Sequence, residues 1–346
     1  MATQAHQIFR PVAPPQIIEN AYTADQHQRI LQTIRDNGPW PLIFAQNFSS
    51  PEEVIAVTGE PVPEGETLTW DMVLSPKFRG WIGRQGVCYY PELHDCYYNA
   101  KFLELSRNYW SAQYAEPETF LFNIQGASSA GGLHLDAMVF RGMTMDDTPF
   151  WLLLIMAKSG LFRHWQSKKV QVTCWYYKGT IGGGFNYWPD GARGAPRQIK
   201  SPMWGRAVVA ENEMMFHHAQ ASGRAELRKP KGLDISSVVA ADPNSSDGWR
   251  IETFGEVTQL IPGEDMRLLL HWGARVFMDY DELRTALDHK DDISREQALD
   301  ILIGDLRRRN VAFEMPSDPM NDRAFIALLG KVYDIERPAN VPPDPE

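Results

Sequence analysis

From residue 119 to residue 271 the chain is a succession of short apolar, β-branched or aromatic runs cut apart by glycine, proline and polar turns. The runs fall at residues 119–125, 150–157, 170–177, 206–210, 214–217, 235–240, 249–254 and 266–271. Runs of that length at that spacing predict an antiparallel barrel or sandwich. The first run alternates. Phe120, Phe122 and Ile124 point one way, and Leu121, Asn123 and Gln125 the other. The second, residues 150–157, is apolar throughout and reads as one buried strand.

Helical signals flank this region. Thr23 is placed to cap a first helix, with Gln26 completing a capping box and Ile30, Leu31 and Ile34 forming the apolar stripe. Asn37-Gly38 ends it, and residues 41–44 read as a strand. Residues 50–67 read as a polar loop. Residues 70–116 read as irregular and aromatic-rich, with a helical stretch at 108–114. Ser294 and Gln297 form a second capping box, ahead of Leu299, Leu302, Ile303 and Leu306. Arg307-Arg308-Arg309 falls in that helix's last turn, where cations favour the dipole. Pro319 opens a last helix ending near Tyr333, and residues 338–346 read as loose, like the proline-bearing arm 1–20. No linker divides the chain. The expectation is a single domain over 1–346: a β core at about 119–275, an N-terminal helix and cap at 20–118, and a helical segment at 280–335.

The net charge of −10 argues against a nucleic-acid partner. No apolar run is long enough to span a bilayer, and no secretory signal opens the chain. Cys88, Cys96 and Cys174 are too few and too irregular for a disulfide framework or a cysteine zinc site. These features predict a cytoplasmic protein with a small-molecule substrate.

Chemistry concentrates at His134-Leu135-Asp136. Side chains two apart in an extended segment share a face, so an imidazole and a carboxylate point together. A second histidine from elsewhere would complete two nitrogens and one oxygen on one face of a divalent ion, the donor set of non-haem Fe(II) oxygenases. Nine histidines are available. His94 directly precedes Asp95, so their side chains diverge, and His164 and His271 have no partner at useful spacing. His217 and His218 compete for the remaining position, and strand periodicity alone does not choose between them. Arg228 lies eleven residues beyond His217. Its fork can grip a carboxylate bidentately, with Arg224 as rival and Ser222 as an added hydroxyl. Arg79, Arg84 and Arg107 read as solvated surface charges.

At these residues the chain resembles the phytanoyl-CoA dioxygenase-like branch of the Fe(II)/2-oxoglutarate-dependent oxygenases. The likeness runs from about Thr23 to Arg228. It is carried by the opening helix with Asn-Gly-Pro-Trp-Pro-Leu-Ile-Phe at 37–44, and by His134-Leu-Asp136. It continues in the glycine turn and strand from Tyr177 to Gly191, and in Phe216-His217 through Arg228. Two elements depart: residues 189–192 read Pro-Asp-Gly-Ala where the family has Pro-Gly-Ser-His, and Ser222 stands where an asparagine is frequent. The resemblance implies a mainly β fold with flanking helices around a double-stranded β-helix (jelly-roll) core. It favours His217 over His218 as third ligand. It also implies Fe(II), 2-oxoglutarate and O₂ as cofactor and co-substrates, Arg228 on the distal carboxylate, and Asn123 or Gln125 as a further 2-oxoglutarate contact. The expected reaction is hydroxylation, desaturation or cyclisation of a small molecule, such as a natural-product or amino-acid-derived intermediate. Because Asp136 is present, no ligand position is freed for halide. The rival readings are a metal-dependent hydrolase or isomerase on the same barrel, for which Arg228 would be dispensable, and a non-enzymatic binding protein.

Overall fold

The computed structural model describes residues 9–46, 48, 50–52, 54 and 67–344. Among the described residues, fourteen strands fall into three sheets. The largest contains β1 (Gln16–Ile18), β3 (Lys77–Arg84), β4 (Val87–Cys88), β5 (Tyr114–Gln125), β6 (Lys169–Tyr177), β9 (Met203–Ala210) and β14 (Arg267–Phe277). Their spatial order is β1-β9-β6-β14-β5-β3-β4, antiparallel throughout. The second sheet, β10-β7-β8, comprises β7 (Phe185–Trp188), β8 (Arg197–Ile199) and β10 (Phe216–Ala219). The third, β13-β12-β11-β2, comprises β2 (Trp40–Pro41), β11 (Val238–Ala241), β12 (Trp249–Thr253) and β13 (Glu256–Ile261).

After β5 the chain crosses to the second sheet, where Ser128 and His134 bridge to Ser222 and His217. It returns as β6, crosses as β7 and β8, returns as β9, crosses as β10, and returns as β14. This alternation makes the core a jelly roll, mainly β with helices outside, as the punctuated runs and the family resemblance lead one to expect. Between the two sheets lies a cluster drawn from both: Trp175, Val208 and Met203 from one side, Phe185, Tyr187 and Met215 from the other. The opposite face of the large sheet buries Phe120, Phe122 and Ile124 with Phe78 and Trp272, each ring contributing about 2–3 kcal/mol of burial. That outward packing turns Leu121, Asn123 and Gln125 into the barrel.

Several expectations are corrected. Residues 150–157 form no strand but the helix Phe150–Ser159, which follows Pro149 and is stopped by Gly160 at φ +69°. An eight-residue run without alternation fits a buried helix as well as a buried strand, and a helix apolar all round is stable where it is buried on all sides. Leu152, Leu153, Ile155 and Met156 pack against the helices Arg295–Arg308 and Arg323–Val332 through Leu302, Ile303, Phe325 and Leu329. Residues 70–116 are ordered rather than irregular. They hold β3 and β4 and the helix Ala100–Trp110, capped by Asn99 and ended by Ser111 at φ +55°, so that helix lies earlier than 108–114. The strand expected at 41–44 is reduced to Trp40–Pro41, followed by a 3₁₀ turn at Phe44–Gln46. Residues 212–214 form a 3₁₀ turn, so the strand at 214–217 begins only at Phe216. The loop expected over 50–67 lies largely outside the described residues.

Both capping boxes form, at Thr23/Gln26 and Ser294/Gln297. The last helix begins at Arg323 with Asp322 as its cap, past Pro319. The tail is docked rather than loose. Trp188 Nε1 donates to Asn340 Oδ1 at 2.8 Å, and the Ala221 amide to Asp344 Oδ1 at 3.0 Å. Among the described residues, no helix is long and apolar enough to cross a membrane.

Candidate metal centre

His134 and His217 are locked together by their backbones. Each amide donates to the other's carbonyl, at 3.1 and 3.0 Å. The Asp136 amide donates to the Asn212 carbonyl at 3.2 Å, which holds the carboxylate over the same point. His134 Nε2 lies 3.6 Å and His217 Nε2 3.5 Å from Asp136 Oδ1. All three donor atoms fall within 4.8 Å of one another, and among the described residues no other group of this kind converges. An ion bonded at about 2.1 Å needs neighbouring donors about 3 Å apart, a contraction of roughly half an ångström.

The second nitrogen of each ring determines which form is present. His134 Nδ1 lies 2.7 Å from the Gly132 carbonyl, and His217 Nδ1 2.8 Å from the Met215 carbonyl. A carbonyl only accepts, so each Nδ1 carries a proton, and Nε2 is the nitrogen each ring turns inward for a metal. Against the cost of burial, the neighbouring His217 and His134 imidazoles hold the Asp136 carboxyl well below the usual carboxylate range. The site therefore turns two imidazole Nε2 atoms and one ionised carboxylate oxygen toward a single point. His217 is buried, whereas the His134 side chain is 52 % exposed, so the centre opens to solvent on the His134 side.

His218 faces the other way. Its ring stacks on Trp188 at 6.0 Å, and its Nε2 meets the Asn186 side-chain amide at 3.1 Å. His27 is partly buried and stacks on Tyr176 at 3.7 Å, away from the centre.

Below the centre the large sheet presents polar side chains in rows, because residues paired across antiparallel strands share a face. Arg267 pairs with Gln125, which pairs with Lys77. Two residues further along, Leu269 pairs with Asn123 and Trp175, and Asn123 with Arg79. Next comes His271 with Leu121 and Thr173. Gln125 Nε2 donates to Ser222 Oγ at 3.0 Å, and Ser222 Oγ to the Gly126 carbonyl at 3.0 Å. Gln125, Ser222 and Arg267 thus gather at one end of the barrel.

Arg267 is 2 % exposed. Its Nε donates to the Gly183 carbonyl at 2.8 Å, while its buried Nη2 meets no acceptor among the described residues. Burial pushes its pKa down to about 10. An unpaired guanidinium nitrogen in a barrel interior is costly without a ligand. Arg228 lies at the same end but at a loop, where its Nε and Nη2 donate to the Gly223 carbonyl at 3.1 and 2.9 Å. Arg224 is exposed and near Glu226.

Sequence reasoning passed over three groups that the fold turns inward. They are Arg267, Arg79 (read as a surface charge) and His271, whose pKa burial lowers to about 4. A signal existed for two of them: Arg267, Leu269 and His271 alternate with the apolar Leu268, Leu270 and Trp272. Glu213 is also buried beside the centre, and burial raises its carboxyl to about 7.

No family model and no curated protein matches the sequence. Among solved structures the chain is similar to an oxidoreductase of the 2OG-Fe(II) oxygenase family from Burkholderia pseudomallei, at 13 % identity and TM-score 0.39 over 77 % of this chain and 86 % of that one. It is similar to a Pseudomonas putida prolyl-4-hydroxylase at 14 % identity and TM-score 0.37, over 77 % and 94 % of the two chains. It is also similar to HygX from Streptomyces hygroscopicus, solved with nickel, 2-oxoglutarate and hygromycin B, at 10 % identity and TM-score 0.37 over 76 % and 83 %. These likenesses are weak, and the chemistry of the site rests on its own residues.

Proposed function

We propose that the chain is a non-haem Fe(II)- and 2-oxoglutarate-dependent oxygenase, an oxidoreductase acting as one domain on a small organic substrate. One observation carries the reading. Two imidazoles with protonated Nδ1 and one ionised carboxylate converge on a point above a barrel whose far end holds a buried, unsatisfied guanidinium. The donor set fits a divalent ion that keeps three positions open, and the guanidinium fits the free end of a dicarboxylate.

His134, Asp136 and His217 would hold Fe(II), with the Gly132 and Met215 carbonyls fixing both rings. We assign the distal carboxylate of 2-oxoglutarate to Arg267 rather than to Arg228. Arg267 is inside the barrel with a nitrogen to offer, whereas Arg228 bonds a loop carbonyl beyond it. Gln125 and Ser222, linked to each other, line the same end, and Asn123 lies one row nearer the metal. Bound Fe(II) and 2-oxoglutarate together supply an oxidant for an unactivated C–H bond, the co-substrate being decarboxylated to succinate. Trp175 and Phe185, with Leu269 packed against them, line the barrel with apolar side chains. The sequence resemblance points to the phytanoyl-CoA dioxygenase-like branch, and the sparse, irregular cysteines fit a reducing compartment.

The test is anaerobic addition of Fe(II) and 2-oxoglutarate to purified protein. The expected result is a weak visible charge-transfer band that Asp136→Ala abolishes. Wild-type protein that binds the metal but shows no band would favour metal-activated water instead, as in a hydrolase.

A further inference from the structure

We infer that Arg79 binds a carboxylate of the primary substrate, so that the enzyme's substrates are small anionic molecules; the inference rests on the oxygenase reading above. Arg79 stands on the inner face of β3, one row nearer the metal than Arg267. Its Nε donates to Asn123 Oδ1 at 2.9 Å, and its own carbonyl accepts from Gln46 Nε2 at 3.0 Å. Side chain and backbone are thus both held. Nη1 and Nη2 meet no acceptor and no ion-pair partner among the described residues. The charge that acts on the guanidinium is Asp136, and desolvation lowers its pKa. A fork fixed at one corner and open at the other two is the shape that takes a carboxylate through two parallel hydrogen bonds.

Position separates this fork from the co-substrate's anchor. Successive same-face rows of a strand lie about 7 Å apart, so Arg79 starts one row nearer the metal than Arg267. Charge points the same way. A divalent ion with Asp136 leaves +1, and Arg79 and Arg267 raise it to +3. The 2-oxoglutarate dianion returns it to +1. Arg79 is partly buried, and a charge with restricted access to water favours a partner, which one further carboxylate supplies. Glu118 is already neutralised by Lys169 at 2.6 Å, and Glu213 is a buried carboxyl with its own hydrogen bond to Gln171. Trp175 and Leu269 share the row with Asn123 and Arg79 and supply an apolar wall, so the carboxylate would sit on a flat or apolar body.

The experiment uses the full chain loaded anaerobically with Fe(II) and saturating 2-oxoglutarate. Calorimetry compares benzoate with its neutral isostere benzamide. A charge-assisted pair contributes about 1.5–3 kcal/mol, so benzoate should bind wild type at least about tenfold tighter than benzamide. Arg79→Gln should erase that preference while 2-oxoglutarate affinity stays within about threefold, and Arg79→Lys should retain part of it. Equal binding of the two probes by wild type, or a preference that survives Arg79→Gln, would overturn the inference. So would a tenfold loss of 2-oxoglutarate affinity in Arg79→Gln, because the fork would then serve the co-substrate. If wild type gives no charge-transfer band, the oxygenase reading fails separately. The probe comparison on Mn(II)-loaded protein then still decides whether the fork selects a carboxylate.

Discussion

Replacing Arg267 with methionine should move stability and co-substrate binding in opposite directions. Arg267 is fully buried, and its pKa falls from the ordinary arginine range to about 10. The folded chain therefore binds this proton less tightly than the unfolded chain. The charge weighs against folding at every pH below about 10, and the penalty is relieved only as pH rises from there towards the ordinary arginine range. At about 1.4 kcal/mol per pKa unit, the penalty is on the order of 3 kcal/mol at neutral pH. Methionine removes it and also removes the hydrogen bond to the Gly183 carbonyl, which contributes about 1 kcal/mol. The net expectation is a metal-free protein about 2 kcal/mol more stable, read as an increased urea midpoint at unchanged slope. Binding goes the other way. Leaving a buried carboxylate without its partner costs about 3–5 kcal/mol, so 2-oxoglutarate should bind at least a hundredfold more weakly in an anaerobic charge-transfer titration. A variant that loses stability and keeps its 2-oxoglutarate affinity would refute the reasoning and return Arg267 to a structural role. Arg228→Gln, measured alongside, should change 2-oxoglutarate affinity far less.

His217→Ala should abolish Fe(II) binding measured by calorimetry, whereas His218→Ala, which disturbs only the Trp188 and Asn186 contacts, should retain it within a few fold. Burial raises the Glu213 carboxyl from 4.5 to about 7, so the folded chain holds more protons than the unfolded one across that window. Stability should then fall as pH rises from about 4.5 to 7, by about 3 kcal/mol; Glu213→Gln in metal-free protein should flatten that slope in denaturant titrations. Thr23→Ala removes the first helix's capping box and should cost about 1 kcal/mol, seen as a lower thermal midpoint with metal binding unchanged.

Local signals carried the parts of the molecule that depend on neighbours in sequence. His134 and Asp136 were legible because two-residue spacing alone puts them on one face, and both capping boxes because they close over three residues. The inward set Leu121, Asn123 and Gln125 was legible because alternation is a property of one strand. Arg267 was not, since its role depends on lying opposite Gln125, and the sheet formed by β11, β12 and β13 separates it from His217 in the chain. The spacing of Arg228 from His217 drew attention to a loop arginine at the same end of the barrel. Arg79 looked like a surface charge because nothing within β3 tells which face β5 will cover. His217 and His218 differ only in which ring turns towards Asp136, and the reciprocal bonds to His134 decide that. Residues 150–157 were ambiguous because an all-apolar run fits a buried strand and a buried helix equally; Pro149 and Gly160 were the overlooked helix signals.

The most direct measurement is anomalous diffraction at the iron edge from crystals grown anaerobically with Fe(II) and 2-oxoglutarate. The account predicts a single peak about 2.1 Å from His134 Nε2 and His217 Nε2, bonded also to Asp136, with the distal carboxylate on Arg267. A peak at His218 or elsewhere, or a co-substrate whose far carboxylate lies away from residue 267, would contradict it.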